Sequence, residues 1–557
     1  MHFTFEHFYR HDEMATWLQT AESRFPNLCR IESIGKSLEG RDLWLAKITN
    51  YATGSDRDKP AIYVDGNIHA GEVTANSVCL YLIHQLVTRW GCDEAITHIL
   101  DTRTVYVLPR VNPDGAEVYL TTPHMLRSST RLDPEYRLET NHLYPEDING
   151  DGEILFMRIE DPTGSHRISD LDPRLMVPRG PCELEGPFFR IYPEGKIHQY
   201  DGGEIKLAPS PWNIDSNRNF PAGWSPTQAG AGKYPLSEPE TRAIADFILD
   251  HPNISIAHSY HTKGGIFLRP SCSRPDDEMD PFDVATMEAL GELGTEFTGY
   301  PMRCAYYGFK VDRGSPKYGV FLDWLYEHLG LIGYITELWN KYARAGIDRD
   351  SWPHGTPVPE DKQLKLLEWH DQEKLDSFVD WHVFDHPQLG EVEIGGFHFK
   401  TFQQNVPFKL LQDECERNVA WCLEQAAATP RIVISGVDLT RHNEVITLRV
   451  HIRNEGFLPT NITNQALKVE AVKDVTACIE GEGFEVIAGD QRQELGQIDG
   501  YTSAARGFTG GADGYGPPPV YGHRCVEWAI RASEGSSAII SVTSDRAGTV
   551  KRQVKLA

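Results

Sequence analysis

The sequence predicts an α/β protein: a mixed, largely parallel sheet flanked by helices, followed by a small all-β sandwich. Up to about residue 430, short β-branched runs ("PAIYVDGNI", "TRTVYVLPRVN", "NISIAHSYH", "LGLIGYITELW") alternate with stretches whose apolar residues recur at helical spacing ("EVTANSVCLYLIHQLVTRW", "SEPETRAIADFILDH"). From about Pro430 the runs turn short and alternating, broken by Gly, Asn and Asp, as in "RIVISGVDLTRHNEVITLRVHIRNEGF" and "CVEWAIRASEGSSAIISVTSDRAGTVKRQVKL". At 557 residues the chain also exceeds what one core organises, so two or three domains are expected.

The elements follow from these patterns in order. The run at 61–68 reads as a strand feeding the long apolar helix that begins near Glu72, and the runs at 102–112, 253–261 and 329–339 supply further strands. Ser237 followed three residues later by Glu240, with Pro239 between, predicts a capping box opening a helix at 237. Residues 346–429, including "HPQLGEVEIGGFHFK" and the helical "LLQDECERNVAWCLEQAAAT", are expected to form an appendage joining the two domains. The Gly- and Pro-rich segment 507–523 predicts a long loop on the sandwich.

Composition narrows the function classes. With 24% charged and 40% hydrophobic residues the chain has the balance of an ordinary globular protein, and no run approaches the roughly 20 apolar residues of a membrane span. A formal net charge of −26 argues against nucleic acid as partner, because phosphate binding needs clustered Lys and Arg. The first dozen residues alternate aromatic and charged side chains rather than forming a secretory apolar core, so a cytoplasmic location is expected. The ten cysteines show no C-x-x-C pair and are read as free thiols.

His69 and Glu72 stand three residues apart where the first strand ends and the helix begins. Alone, such a pair is also what an acidic first helical turn looks like. An ordered series follows it: "PRVNPDG" at 109–115, Arg127, "NIDSNRNFP" at 213–221, "SIAHSYH" at 255–261 and Glu337 in "GYITELW". Together these residues resemble the zinc metallocarboxypeptidase family over most of residues 1–345, with a long insertion at about 128–212. The resemblance implies a zinc carboxypeptidase-like catalytic domain with one zinc per chain, held by His69, Glu72 and His258; His261 competes as the third ligand. It further implies Asp215 behind the first His, Glu337 as the group that takes a proton from the attacking water, and Arg127 as stabiliser of the developing oxyanion. Asn217 and Arg218 would hold the free C-terminal carboxylate of a peptide. Tyr318, with Tyr307 as rival, would be the family's mobile tyrosine.

Three departures from the family pattern carry expectations of their own. Gly71 stands where digestive members have a second substrate-binding Arg. Leu322 occupies the position that sets side-chain preference at the pocket floor, and an apolar residue there leans against basic C-terminal residues. The insertion contains "EDINGDGEILFMR", whose Asp147, Asn149, Asp151 and Gly152 follow the opening of a calcium loop; its twelfth position is Arg158 where a bidentate Glu is needed, leaving Glu160 or Asp161 as distant substitutes. Calcium is thus a second candidate ion. The expected function is removal of the C-terminal residue of peptides by a metal-activated water. An amidohydrolase acting on acyl-amino acids or glutamyl bonds, and an inactive relative serving as a binding protein, are the alternatives.

Overall fold

The computed structural model describes residues 3–308, 314, 316–353, 355–501 and 522–556. Its centre is an eight-stranded mixed sheet in the order Cys29–Lys36, Asp42–Ile48, Thr104–Leu108, Ala61–Gly66, Ile254–Thr262, Ile332–Leu338, Ile266–Arg269, Met302–Cys304. The four central strands, from Thr104–Leu108 to Ile332–Leu338, are mutually parallel. They are buried on both faces, which is why they read as continuous apolar runs.

Strand alternation sends successive side chains to opposite layers. Ile62, Val64, Ile256 and Tyr260 join a core under the helices Val73–Arg89, Pro281–Thr298 and Phe408–Ala428. Ala61, Tyr63 and Ala257 join a second core under Pro239–Asp250 and Phe321–Leu329. The helix Phe408–Ala428 is therefore not part of an appendage: Leu411, Cys415, Trp421 and Cys422 are fully buried in the main core. The helix expected to open at Ser237 begins instead at Pro239 with Glu238 at the N-cap position, and Glu240 turns away to accept from Leu38 N–H at 2.8 Å, so the capping box does not form.

The insertion and the 378–397 region, far apart in sequence, share one sheet. Phe378–His386 pairs with Gly390–Phe397, which pairs with Phe156–Glu160, and the sheet continues through Phe189–Pro193 and His166–Ile168 to Met176–Pro178. Arg158, at the twelfth position of the suspected calcium loop, is a strand residue whose guanidinium makes a two-point pair with Glu393, Nε to Oε2 at 2.8 Å and Nη2 to Oε1 at 3.0 Å.

From Ile432 onward the chain is all-antiparallel. The 22-residue strand His523–Ser544 pairs with Val445–Asn454 along its first half, with Gly548–Lys555 along its second half, and with Thr476–Ala488 through most of its length. Leu448, Val450, Trp528, Ile540 and Val542 fill its core. Residues 502–521, and with them nearly all of the expected loop at 507–523, lie outside the described residues. This domain docks on the amino ends of the central strands. Arg546 reaches to the central-sheet domain to donate to the carbonyls of Pro252, Ile254 and Leu329, and also to that of Ala471. Gly330, at φ +61°, lies so close to Ala466 that an added Cβ would stand 2.3 Å from its side chain.

Candidate active site

Open parallel sheets bind ligands at the carboxyl ends of their strands, where the strand order reverses. Here the reversal falls between Ala61–Gly66 and Ile254–Thr262: the chain leaves the first strand for Thr104–Leu108 on one side and returns to Ile254–Thr262 on the other. The first strand ends in a tight turn at Asn67, φ 60°, whose amide donates to the carbonyls of His69 and Ala70 and accepts from Arg110 Nε. That turn delivers His69, and Glu72 follows at the N-cap of the helix Val73–Arg89.

The third side chain of the cluster comes from the neighbouring strand, and it is His261. His69, Glu72 and His261 are all buried and could hold one metal ion, their ligand atoms lying within 4.8 Å of one another. His69 Nδ1 is 2.9 Å from Glu72 Oε1, His261 Nδ1 is 3.1 Å from His69 Nδ1, and His261 Nδ1 is 3.1 Å from Glu72 Oε2. A tetrahedral ion with bonds of about 2.0–2.1 Å separates its donors by roughly 3.3 Å, close to this spacing. Glu72 Oε2, though near His261, forms no hydrogen bond of acceptable geometry, and a buried oxygen left so calls for a partner. Two imidazoles and a carboxylate suit zinc.

His258, expected as the third ligand, faces the opposite layer. It lies three residues from His261 on a strand, hence on the other side of the sheet, with Nε2 2.7 Å from Thr336 Oγ1 and Nδ1 2.9 Å from Gln425 Nε2. Its ring stacks on Tyr260 and meets Trp421 edge-on, and burial pushes its pKa down to about 3. It is a neutral core histidine.

Outward-facing partners fix both ligand rings. His69 Nε2 is 3.2 Å from Asp215 Oδ1, and His261 Nε2 is 3.2 Å from Ser259 Oγ, which in turn donates to the fully buried Asp65. Such partners set the tautomer, leaving each Nδ1 for the ion. Burial alone would raise the pKa of Glu72, but the imidazoles of His69 and His261 outweigh it and hold the carboxyl below its usual range. Asp215 is likewise held well below the ordinary value against burial, by His69, Arg127 and Arg218.

Arg127 bridges Glu72 Oε1 at 3.1 Å and Asp215 Oδ2 at 3.2 Å, its segment anchored by the Ala70 N–H to Arg127 carbonyl bond. Glu337 stands opposite His261 in the strand register, at the end of Ile332–Leu338. Burial, and then the charge of Glu72, push its pKa up to about 8. The two acids repel without a cation between them.

These groups open into a cavity of about 380 Å³ lined by His69, Arg127, His261 and Glu337 on one side and by Asn217 and Arg218 on another. Asn217 Oδ1 accepts from Phe321 N–H at 2.9 Å, turning the N–H₂ end of its amide to the cavity. Leu268, Cys272, Ala305, Val320 and Ile335 form an apolar wall, with Leu322 fully buried behind it. Tyr307 lines this cavity; Tyr318 does not, its ring lying against Gly223 at the surface. At Gly71 an added Cβ would stand 2.7 Å from the Tyr119 ring and 2.8 Å from Gln404 Oε1, so the space a second Arg would need is filled.

The suspected calcium loop uses its own oxygens. Asp147 accepts from the N–H groups of Gly150, Asp151 and Gly152, Asn149 Oδ1 accepts from Asp151 N–H, and Asp151 accepts from Glu153 N–H. Asp161 is paired with Arg190. Among the described residues, the only cluster of three or more metal-ligating side chains is that of His69, Glu72 and His261.

Residues 14–165 and 194–364 match the family model described as zinc carboxypeptidase, Peptidase_M14. The chain belongs to the zinc carboxypeptidase family. Among relatives of this zinc carboxypeptidase-family chain, carboxypeptidase A2 of Rattus norvegicus is 24% identical, the match spanning 69% of this chain and 72% of the relative. Carboxypeptidase B of Astacus astacus is 25% identical over 64% of this chain and 90% of the relative. A zinc carboxypeptidase of Saccharothrix mutabilis subsp. capreolus is 33% identical, over 21% of this chain and only 26% of the relative. Among solved structures, thrombin activatable fibrinolysis inhibitor aligns with 17% identity and a TM-score of 0.44, covering 76% of this chain and 74% of the other. Residues 431–555 match a model described only as a domain of unknown function. No helix among the described residues is long and apolar enough to cross a membrane.

The sequence carries one signal for His261 beyond its place as the competing third ligand. Sites of this fold gather at strand carboxyl ends, and of two histidines on opposite faces of one strand, the more carboxyl-terminal is the candidate. For Ser259, Asp65 and the Gln404 wall there was no local pattern to find.

Proposed function

We propose that this protein is a zinc-dependent carboxypeptidase that hydrolyses the C-terminal peptide bond of peptides. The observation that carries the reading is one cavity bringing together the His69–Glu72–His261 donor set, Glu337, and the Asn217–Arg218 pair. Zinc held by the three donors would supply a Lewis acid and lower the pKa of a water to about 7.

The chain's own groups do the rest. Arg218 pairs with the terminal carboxylate of the peptide, and Asn217 donates its amide N–H to it. The apolar wall from Leu268 to Ile335 receives the terminal side chain, with Lys317 at its edge. Arg127 donates to the oxyanion that forms on the scissile carbonyl. Glu337 takes a proton from the attacking water and returns it to the leaving amine. Its pKa is raised to about 8 first by burial and then by the charge of Glu72, and the positive charge of an ion held by the three donors would lower it toward the range of a base.

Two substitutions test the assignment. Glu337→Gln should keep zinc content while turnover falls by about 10² to 10⁴, the range for a lost general base. Arg218→Ala should weaken kcat/KM on free-acid peptides by on the order of 2–4 kcal/mol of transition-state binding, with little change on C-terminally amidated peptides, which should be poor substrates already. Equal losses on both classes, or a wild-type enzyme that cleaves both equally, would point instead to an amidohydrolase.

A further inference from the structure

The helix Val73–Arg89 begins on a residue that does not cap it. An N-cap side chain ordinarily accepts from the N–H at the second or third helical position, a group that otherwise has no partner within the helix. Glu72 holds the N-cap position, yet its carboxylate makes no capping bond: Oε1 faces His69 and Arg127, and Oε2 faces His261. A side chain committed to the donor cluster is lost to the helix.

The missing cap comes from far along the chain. Asn405 Oδ1 accepts from the N–H of Thr74, at the second helical position, at 3.0 Å, and from Thr74 Oγ1 at 3.1 Å. Its Nδ2 donates at 2.7 Å to the carbonyl of Gly71, the residue before Glu72, and at 3.0 Å to that of Lys400. One side-chain amide thus holds the backbone on both flanks of Glu72. An N–H on one side and two carbonyls on the other leave the amide a single orientation.

Packing fixes Asn405 independently of the cluster. It is fully buried where the π-helical segment Phe399–Gln404 ends, and its own N–H bonds to the Lys400 carbonyl at 3.2 Å. Val406 N–H donates to Thr74 Oγ1 at 3.2 Å, and the helix Phe408–Ala428 that follows lies against Val73–Arg89. Asn405 is also outside residues 14–165 and 194–364, which match the family model. Without it the Thr74 N–H has no acceptor, and the carboxylate placed to supply one is that of Glu72 itself. Each time Glu72 turned back to cap its helix, the cluster would keep only two donors.

Resting on the zinc reading of the donor set, we propose that Asn405 is a positioning residue of the zinc site: it caps the helix in place of Glu72 and so leaves that carboxylate free and aimed at the ion. The test compares zinc Kd values, measured by competition with a chromophoric chelator, for wild type, Asn405→Ala and Arg546→Met. Arg546→Met is the control for lost stability, because its broken bonds lie at the opposite end of the sheet. Asn405→Ala should bind zinc about 10–100-fold more weakly, the range for a lost partner behind a ligand, and Arg546→Met should bind it as wild type does. Asn405→Asp keeps the oxygen that faces Thr74 N–H and should hold zinc more tightly than Asn405→Ala. Where the alanine variant does not fold, Asn405→Ser, with its shorter side chain, takes its place in the comparison. Because the defect is one of affinity, excess zinc should return kcat of Asn405→Ala to within about threefold of wild type with KM unchanged. A Kd for Asn405→Ala within about twofold of wild type, or a loss matched by Arg546→Met, overturns the role of Asn405. Wild type that binds no zinc overturns the zinc reading and this role with it. Wild type that binds zinc but cleaves no peptide overturns only the carboxypeptidase reading, and the Kd values still decide for or against Asn405.

Discussion

The two ends of the central sheet handle buried charge in opposite ways. At the amino end, Arg546 spends its guanidinium on backbone carbonyls of Pro252, Ile254, Leu329 and Ala471, and burial lowers its pKa only to about 10, so it stays charged. At the carboxyl end, buried acids crowd one another: burial and the charge of Glu72 push Glu337 up to about 8, and burial pushes Asp65 up to about 7. One end is a completed joint between domains. The other holds the buried donor cluster of His69, Glu72 and His261, where the proposed ion and substrate would supply the partners the free protein lacks.

The largest expected break in this contrast is at the two histidines of one strand. His261→Ala should abolish stoichiometric zinc and all hydrolysis, because two remaining donors cannot compete for the ion. His258→Ala should keep zinc and lose stability by roughly 2–4 kcal/mol, as a cavity opens among Tyr260, Trp421 and Gln425. Metal analysis of the two purified variants checks this, and zinc lost from His258→Ala with zinc retained by His261→Ala would reverse the assignment.

At the amino end, Arg546→Met should lower stability by about 3–5 kcal/mol, since it leaves buried carbonyls without a donor. Zinc content and kcat/KM measured below the melting range should stay near wild type. A loss of activity matching that of His261→Ala would mean that the two ends are coupled.

The smallest effect concerns pH. Glu240, buried near Asp114 and Glu238 at the carboxyl end, has its pKa pushed up to about 7, first by burial. Because that value lies above the unfolded carboxylate range, the group does not oppose folding below about pH 4.5; its cost then grows until about pH 7 and is complete above. Glu240→Gln removes the cost. Relative to wild type it should be more stable at pH 8 by up to about 3 kcal/mol and nearly unchanged at pH 4.5, read from melting temperatures at both pH values.

How much of this was legible in the sequence depended on range. His69 and Glu72 sit within four residues at a strand–helix junction, and Asp215, Asn217 and Arg218 within four more, so local spacing exposes them. The choice between His258 and His261 needed the sheet's two faces, and His258 is the residue that the family resemblance implied. Tyr307 over Tyr318 needed the path of a loop. The role of Phe408–Ala428 was hidden because its apolar stripe says only that something covers it, while its place in the chain, after the last catalytic strand, suggested an appendage. The pairing of Arg158 with Glu393 spans 235 residues, and no local pattern announces it.

That late helix has a consequence for the order in which the protein can be made. The last residue of the central sheet is Leu338, yet the covering of the face that carries Ile256, Tyr260 and Phe267 is completed by a helix that ends at Ala428. At synthesis rates of ~5–20 residues per second, the ribosome needs roughly 5–20 s to bridge that distance, and the helix must then clear the exit tunnel. Until it does, a nascent chain that already holds every proposed zinc ligand leaves open to water the part of that face that Leu411, Cys415, Trp421 and Cys422 cover in the finished fold. The vulnerable species in the life of this protein is thus a partly synthesised one, and its protection falls to whatever shields nascent chains rather than to the finished fold.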